Sequence, residues 1–307
     1  MKVALFGGSG FVGNYIVDEL LQTGHEPHVL VRPQNVSKLI QADKCTVYYG
    51  HIENDAVIID MMKNSNAVIY NIGLIRQFPK KGITFEKLHY EGVNRTVKLA
   101  EKAGVKRYIL MSANGVKMNG TPYQTTKYLA EQLLKNSSLD WTIFRPSLIF
   151  GDPRSSIEFC TQLKNNMLDL PIPAPLFFNG LIPKNAGSFS FNPVHVTDVA
   201  KCFVRVLEKE SAIGKTYEVG GARTVMWKEL IKTIASAYGK NKWTMPAPVF
   251  PIKTLAAILD RFAWFPITVD QLTMLMEGNT CSSKVFTEFE IETIHFEKNS
   301  LSYLVES

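Results

Sequence analysis

Cysteine is scarce in this chain: four residues in 307, Cys45, Cys160, Cys202 and Cys281, with no two at dithiol or zinc-ligand spacing. That scatter excludes a CxxC redox pair, a zinc ribbon and a disulfide scaffold, predicts no metal site, and fits a reducing, cytoplasmic setting. Long apolar runs are lacking too. Nothing approaches the roughly 20 residues that a membrane-crossing helix needs. Met1-Lys2 leads directly into Val3-Ala4-Leu5-Phe6, which reads as a strand and not as a secretory leader. There is no internal repeat and no low-complexity tract. The formal charge of +6 and the isoelectric point near 9.0 favour acidic ligands or an anionic surface. The basic residues are nevertheless dispersed among carboxylates, with no basic stripe carrying interleaved aromatics, so nucleic acid is not expected as a partner.

What is present is ample apolar material, 46% over 307 residues, enough for one extended α/β unit with a smaller appended lobe. Short apolar runs at 28–31, 46–49, 67–70, 107–111 and 141–144 alternate with helical stretches at 11–21, 85–103 and 123–135. That alternation predicts a parallel sheet with helices on both faces. Composition shifts near Gly151, so residues 1–150 are expected to form the main domain and 151–307 a smaller α/β lobe. Part of 190–220 is expected to return to the main sheet, starting near 190–196. The stretch 171–183, with Pro171, Pro173, Pro175 and Pro183 around Leu176, Phe177 and Phe178, reads as a long irregular loop.

Directly after the first strand comes Gly7-Gly8-Ser9-Gly10-Phe11-Val12-Gly13, followed by apolar residues in helical rhythm. Gly7 suits a tight turn, Gly10 lets backbone approach a pyrophosphate, and Gly13 lets helix and strand pack closely. The helix N-terminus offers free N–H groups to the anion. Strand, turn and helix in that order predict a dinucleotide-binding Rossmann domain with a doubly wound parallel sheet; the bland alternative is a glycine-rich turn that binds nothing. At the end of the second strand, where an NAD site usually carries a carboxylate, stands Arg32. A guanidinium there can pair with a 2′-phosphate, which favours NADP(H) and leaves NAD(H) as the alternative. Ser9 and Lys38 are further candidates for that phosphate.

Tyr123 and Lys127 lie four residues apart and so share one helix face. A free phenol titrates near 10. A neighbouring ammonium and an oxidised nicotinamide both favour phenolate. Tyr123 would then act as acid or base, with Lys127 tuning it and bonding the nicotinamide ribose. An exposed helix pair is the bland alternative.

In chain order, the glycine turn, Tyr123-x-x-x-Lys127, Phe144-Arg145-Pro146 before Gly151, Pro193-Val194-His195-Val196-Thr197-Asp198, and Tyr217-Glu218-Val219-Gly220-Gly221 resemble the extended short-chain dehydrogenases/reductases over nearly the whole chain. Asn71-Ile72-Gly73-Leu74-Ile75, Met111-Ser112-Ala113-Asn114-Gly115 and Pro266-Ile267-Thr268-Val269-Asp270-Gln271 resemble an atypical branch. That branch groups with epimerase/dehydratases and with the nucleotide-binding accessory subunit of respiratory complex I. The resemblance implies that Asn71, Ile72 and Gly73 pass the cofactor ribose. It also implies that Met111 lies on the cofactor side and that Pro146, Ser147 and Leu148 border the nicotinamide. His51 stands where an aspartate often meets the adenine, so adenine contact falls to His51, Ile52 and backbone groups. The usual catalytic serine position holds Ala113; Ser112, one residue earlier, either orients the substrate carbonyl or is structural. His89 replaces the helical asparagine of the family.

The expected substrate pocket is apolar, and Arg154, Lys164 and Lys184 are the nearby candidates for a diphosphate clamp. Phe177, Phe178, Phe250, Phe262, Trp264 and Phe265 either form a lid or a membrane- or partner-facing patch, or fill the lobe core. Two functions follow. One is an NADP(H)-dependent oxidoreductase acting on a small carbonyl or alcohol through Tyr123, Lys127 and Ser112. The other is a non-catalytic NADP(H)-binding accessory or assembly subunit of a respiratory complex, cytoplasmic and peripheral to its membrane. A redox sensor shares the same fold.

Overall fold

The computed structural model describes residues 1–154, 156–259 and 267–305. Its first half runs β1 (Lys2–Phe6), α1 (Phe11–Gln22), β2 (Glu26–Val31), β3 (Thr46–Tyr49), α2 (Asp55–Lys63), β4 (Ala67–Tyr70), α3 (Gly92–Ala103), β5 (Arg107–Met111), α4 (Pro122–Lys135) and β6 (Asp140–Pro146). Then come β7 (Ile149–Phe150), α5 (Phe159–Leu163), β8 (Ala174–Phe178), β9 (Ser190–Phe191), β10 (Val194–His195), α6 (Val196–Arg205) and β11 (Lys215–Val219). The chain ends with β12 (Val225–Met226), α7 (Trp227–Ala237), β13 (Thr244–Pro248), α8 (Val249–Leu259), α9 (Val269–Glu277) and α10 (Lys284–Glu288).

Seven strands form one parallel sheet in the order β11-β6-β5-β4-β1-β2-β3. This is a doubly wound Rossmann sheet. Its switch point lies between β1 and β4, where the crevice at the carboxyl ends of the strands takes a ligand. Alternate residues along β1 feed two cores. Val3 and Leu5 pack on the α1 and α6 side, and Ala4 and Phe6 on the side of α2, α3 and α4. A third core in the lobe is built on Phe150, Phe177, Trp227 and Leu230.

Three expectations are corrected. The stretch 171–183 is not a loop throughout, because Ala174–Phe178 is a strand paired in parallel with β13. Its prolines fit: Ala174 N–H donates to Trp243 O at 2.7 Å on the β13 side, whereas the Pro175 carbonyl takes Trp227 Nε1 on the other side. The missing Pro175 N–H therefore costs no ladder bond. Residues 190–196 stay out of the main sheet, pairing with β12 and β7 instead; the strand that joins it beside β6 is Lys215–Val219. The helix expected at 85–103 opens with a π-helical turn, Glu86–Glu91, before α3, and closes at Gly104 with φ +77°. Phe177 and Phe178 are buried, Phe250 is exposed, and Phe262, Trp264, Phe265 and Pro266 lie outside the described residues.

Candidate functional site

The crevice at the β1–β4 switch point begins with the glycine turn. Gly7 has φ +88°, and a Cβ there would stand 2.8 Å from Asn71 O. A Cβ on Gly13 would overlap the Gly7 carbonyl oxygen, and one on Gly8 would lie 2.5 Å from Val29 Cγ1. Close approach of backbone demands glycine at 7 and 13, and the Val29 side chain demands it at 8. Gly10 N–H donates back to Gly7 O at 3.1 Å and is the N-cap of α1. No side chain caps that helix and its first turn holds no carboxylate. Ser9, Phe11 and Val12 are half-buried around it. An uncapped helix end with no acid beside it fits a pyrophosphate.

Arg32 leaves the end of β2 exposed to solvent. Asn35, with its amide oxygen turned toward the guanidinium, accepts from Arg32 Nη2 at 2.7 Å. Lys38 is brought to the same edge by a residue that sequence reading missed. Buried Asn14 donates to Gly10 O at 3.1 Å and Lys38 O at 3.0 Å, and accepts from Ile40 N at 2.9 Å. A polar residue on the apolar stripe of α1 was the available signal. Next along the crevice, His51 is exposed and Ile52 buried just past β3. Asn71 N–H donates to Phe6 O at 2.9 Å, holding 71–73 beside the glycine turn.

At the other end, α4 starts with a capping box between Thr121 and Gln124, which fixes where Tyr123 and Lys127 project. Lys127 Nζ donates to Met111 O at 3.0 Å and stands 5.8 Å from the centre of the Tyr123 ring. A Cβ on Gly73 would be 3.8 Å from it. Lys127, Ile72, Met111, Ser112, His89 and Tyr70 thus gather around one narrow cleft. Burial pushes the Lys127 ammonium down to about 8 against the opposing effect of Glu131. Burial raises the Tyr123 phenol above its ordinary value, and the Lys127 ammonium faces its ring.

Ser112 donates its hydroxyl to Glu131 Oε1 at 2.5 Å, and the same carboxylate takes Arg145 Nε at 2.8 Å and Nη2 at 2.5 Å. Its proton is therefore committed away from any substrate, and Ala113 follows it. His89 is a satisfied core histidine. Its Nε2 accepts from Leu74 N at 3.2 Å and its Nδ1 meets Thr126 Oγ1 at 3.3 Å, between the rings of Phe85 and Tyr123. Burial drives it down to about 2, so it stays neutral.

Pro146 is buried at the end of β6, and Leu148 packs against the lobe core. Ser147 donates to Asn279 O at 2.7 Å. That contact belongs to a strap, 277–283, which sequence reading missed entirely. Asn114 Nδ2 donates to Asn279 Oδ1 at 2.6 Å and Thr280 O at 3.1 Å. Lys117 pairs with Glu277 at 2.6 Å, and Asn279 N donates to Ser190 O at 2.8 Å. The strap so lies against the segments that follow β5 and β6. The three clamp candidates do not converge there. Arg154 pairs with Asp18 at 2.7 Å and stacks 3.8 Å over Tyr15, Lys164 pairs with Asp169 at 3.3 Å, and Lys184 is exposed on a loop.

Comparison with known proteins agrees with this geometry. The NAD(P)H-binding family matches residues 7–169, more than half of the chain. The mitochondrial NADH-ubiquinone oxidoreductase 40 kDa subunit of Neurospora crassa is 24% identical over 98% of this chain and 78% of its own. The photosystem II assembly factor Ycf39 of Synechocystis is 24% identical over 94% of this chain and 85% of its own. The solved UDP-glucose 4-epimerase of Thermus thermophilus, in complex with NAD, superimposes with a TM-score of 0.72 at 17% identity, covering 100% of this chain and 98% of that one. At that identity the likeness is one of fold. No helix among the described residues is long and apolar enough to cross a membrane.

Proposed function

The chain belongs to the NAD(P)H-binding family, and from that premise we propose that it holds NADP(H) as a fixed part of its fold and serves a membrane-bound electron-transfer complex as an accessory or assembly protein. The observation that carries this reading is the Ser112 hydroxyl bound to Glu131, with Ala113 next in line, so that the serine hydroxyl is not free to polarise a carbonyl. The strap against the segments that follow β5 and β6 and the scattered clamp residues support it. So do relatives whose names are those of a respiratory subunit and an assembly factor.

In this reading Gly7, Gly8, Gly10, Gly13 and the N-terminus of α1 hold the pyrophosphate, while Arg32, Ser9 and Lys38 take the 2′-phosphate. His51 and Ile52 border the adenine. Asn71, Ile72, Gly73 and Lys127 border the ribose, and Pro146, Ser147 and Leu148 the nicotinamide. Bound dinucleotide would supply hydride chemistry; what the chain itself supplies is binding and orientation. Residues 1–150 carry the cofactor, 151–307 face the partner, and the protein works at the membrane's periphery.

Tyr123 and Lys127 on one helix face favour a second reading, an oxidoreductase acting on a small carbonyl or alcohol. One experiment separates the two. Purified protein is loaded with NADPH and given a small-molecule extract, and reduced-nicotinamide absorbance is followed beside a Tyr123→Phe control. Tight binding without decay, with NADPH raising the melting temperature equally in both proteins, is expected. Decay that depends on Tyr123 would establish the oxidoreductase.

A further inference from the structure

The small lobe carries an apolar surface that none of the three cores uses, and from it we propose that the 181–182 turn and the outer face of α8 dock on an anionic lipid bilayer. This rests on the peripheral placement proposed above and names the surface responsible for it.

Helix α8 is apolar on both sides. Val249 and Ala256 are buried and Ile252 packs on the lobe core, yet Phe250, Leu255 and Ile258 are 81%, 49% and 56% exposed. A helix in contact with core on one side normally turns charge to the other; here Lys253 is the single charged residue of α8. The β8–β13 register brings a second apolar tip to the same end of the lobe. Phe178 pairs with Pro248, so Leu181 and Ile182 follow the end of β8 at the end of the pair where Val249 and Phe250 open α8. Leu181 is 98% exposed and Ile182 64%. Large aliphatics this exposed, at the same end of a strand pair as an exposed aromatic, mark a contact surface more than ordinary scatter.

Charge selects the occupant. From 170 to 197 the chain has Lys184 and no carboxylate, and from 241 to 261 it has Lys242, Lys253 and Arg261 against the single carboxylate of Asp260. Lys184 and Lys253, both exposed, follow Ile182 by two residues and Phe250 by three. Asp270, in the first turn of the helix packed against α8, is half-buried and already partnered. Exposed apolar tips followed closely in the chain by ammonium groups suit an interface that accepts any protruding shape and offers phosphates around it. A protein partner would need a socket matched to each tip.

The full chain, with NADPH present, is co-sedimented with vesicles of phosphatidylcholine alone and of phosphatidylcholine mixed with phosphatidylglycerol. Binding to the mixed vesicles, weakened by salt, is expected. Leu181→Ser with Phe250→Ser is expected to lower partitioning about tenfold or more, and Lys184→Glu with Lys253→Glu to do likewise, both leaving NADPH stabilisation unchanged. No binding, or equal binding to both vesicles, would overturn the proposal. So would a concentration-dependent dimer lost in the same variants, which would make a second copy the occupant. NADPH binding and co-purification with the membrane complex test the accessory reading without vesicles, so the two ideas fail separately.

Discussion

Ser112 and Glu131 face each other at 2.5 Å between the end of β5 and the middle of α4, serine donating to carboxylate. Glu131 is fully buried, and its second obligation is the fork of Arg145. The position that could polarise a substrate is thereby tied to the brace between helix and sheet.

Cutting that brace is expected to cost stability more than cofactor affinity. Glu131→Ala strands Arg145 and should lower unfolding free energy by about 3 kcal/mol; Ser112→Ala removes one bond to a charged group and should cost about 2 kcal/mol. Urea denaturation measures both. NADPH affinity of the Ser112→Ala protein should stay within about twofold of the parent, since its lost bond lies within the fold.

Gly13→Ala drives a methyl group into the Gly7 carbonyl oxygen. The turn must shift, and its N–H groups with it. NADPH affinity is expected to fall about a hundredfold or more, measured by fluorescence titration, while the protein remains folded by circular dichroism.

Arg32→Glu places a carboxylate where the 2′-phosphate is proposed to sit. NADPH affinity should drop about tenfold to a hundredfold, and NADH affinity should hold or improve. Equal losses for both dinucleotides, read by isothermal titration calorimetry, would show that Arg32 does not discriminate between them.

Asp198, at the start of α6, is 1% exposed. Its Oδ2 accepts from Ile294 N at 2.8 Å, while its Oδ1 has no partner among the described residues. Burial pushes its carboxyl up to about 6, against Ile294 N–H, Lys201 and His295. A folded value above the unfolded one means stability that is fully present below about pH 4 and lost as pH rises through about 6. Asp198→Asn keeps the acceptor for Ile294. It should therefore stabilise the protein by on the order of 2 kcal/mol near pH 8 and by little near pH 4. His89 works in the opposite sense. Driven down to about 2 by burial, it contributes stability above about 6.5 that acid removes, so the comparison must be made between the two proteins at each pH.

The sheet was legible because its signals are local. Residues 46–49, 67–70 and 107–111 were read as strands from apolar runs alone and are strands to the residue. Gly104 closes its helix as a left-handed cap. The Pro-rich stretch was misread because proline was counted and its parity was not. Pro175 puts its missing donor on the side away from β13. Residues 190–196 looked like a returning strand because apolar spacing cannot say which sheet will take a strand.

What the sequence determined by itself is the cofactor fold: glycines at 7, 10 and 13 between a strand and a helix force a turn whose backbone can approach a phosphate. What the tertiary structure alone decided is the fate of the chemistry beside it. Ser112 meets Glu131, His89 lies between Leu74 and Thr126, and Asn279 reaches Asn114 from 165 residues away. Turn geometry depends on neighbours in the chain. Whether a hydroxyl, an imidazole or a phenol is free to react depends on partners that only folding brings within hydrogen-bond distance, and on the burial that sets its charge.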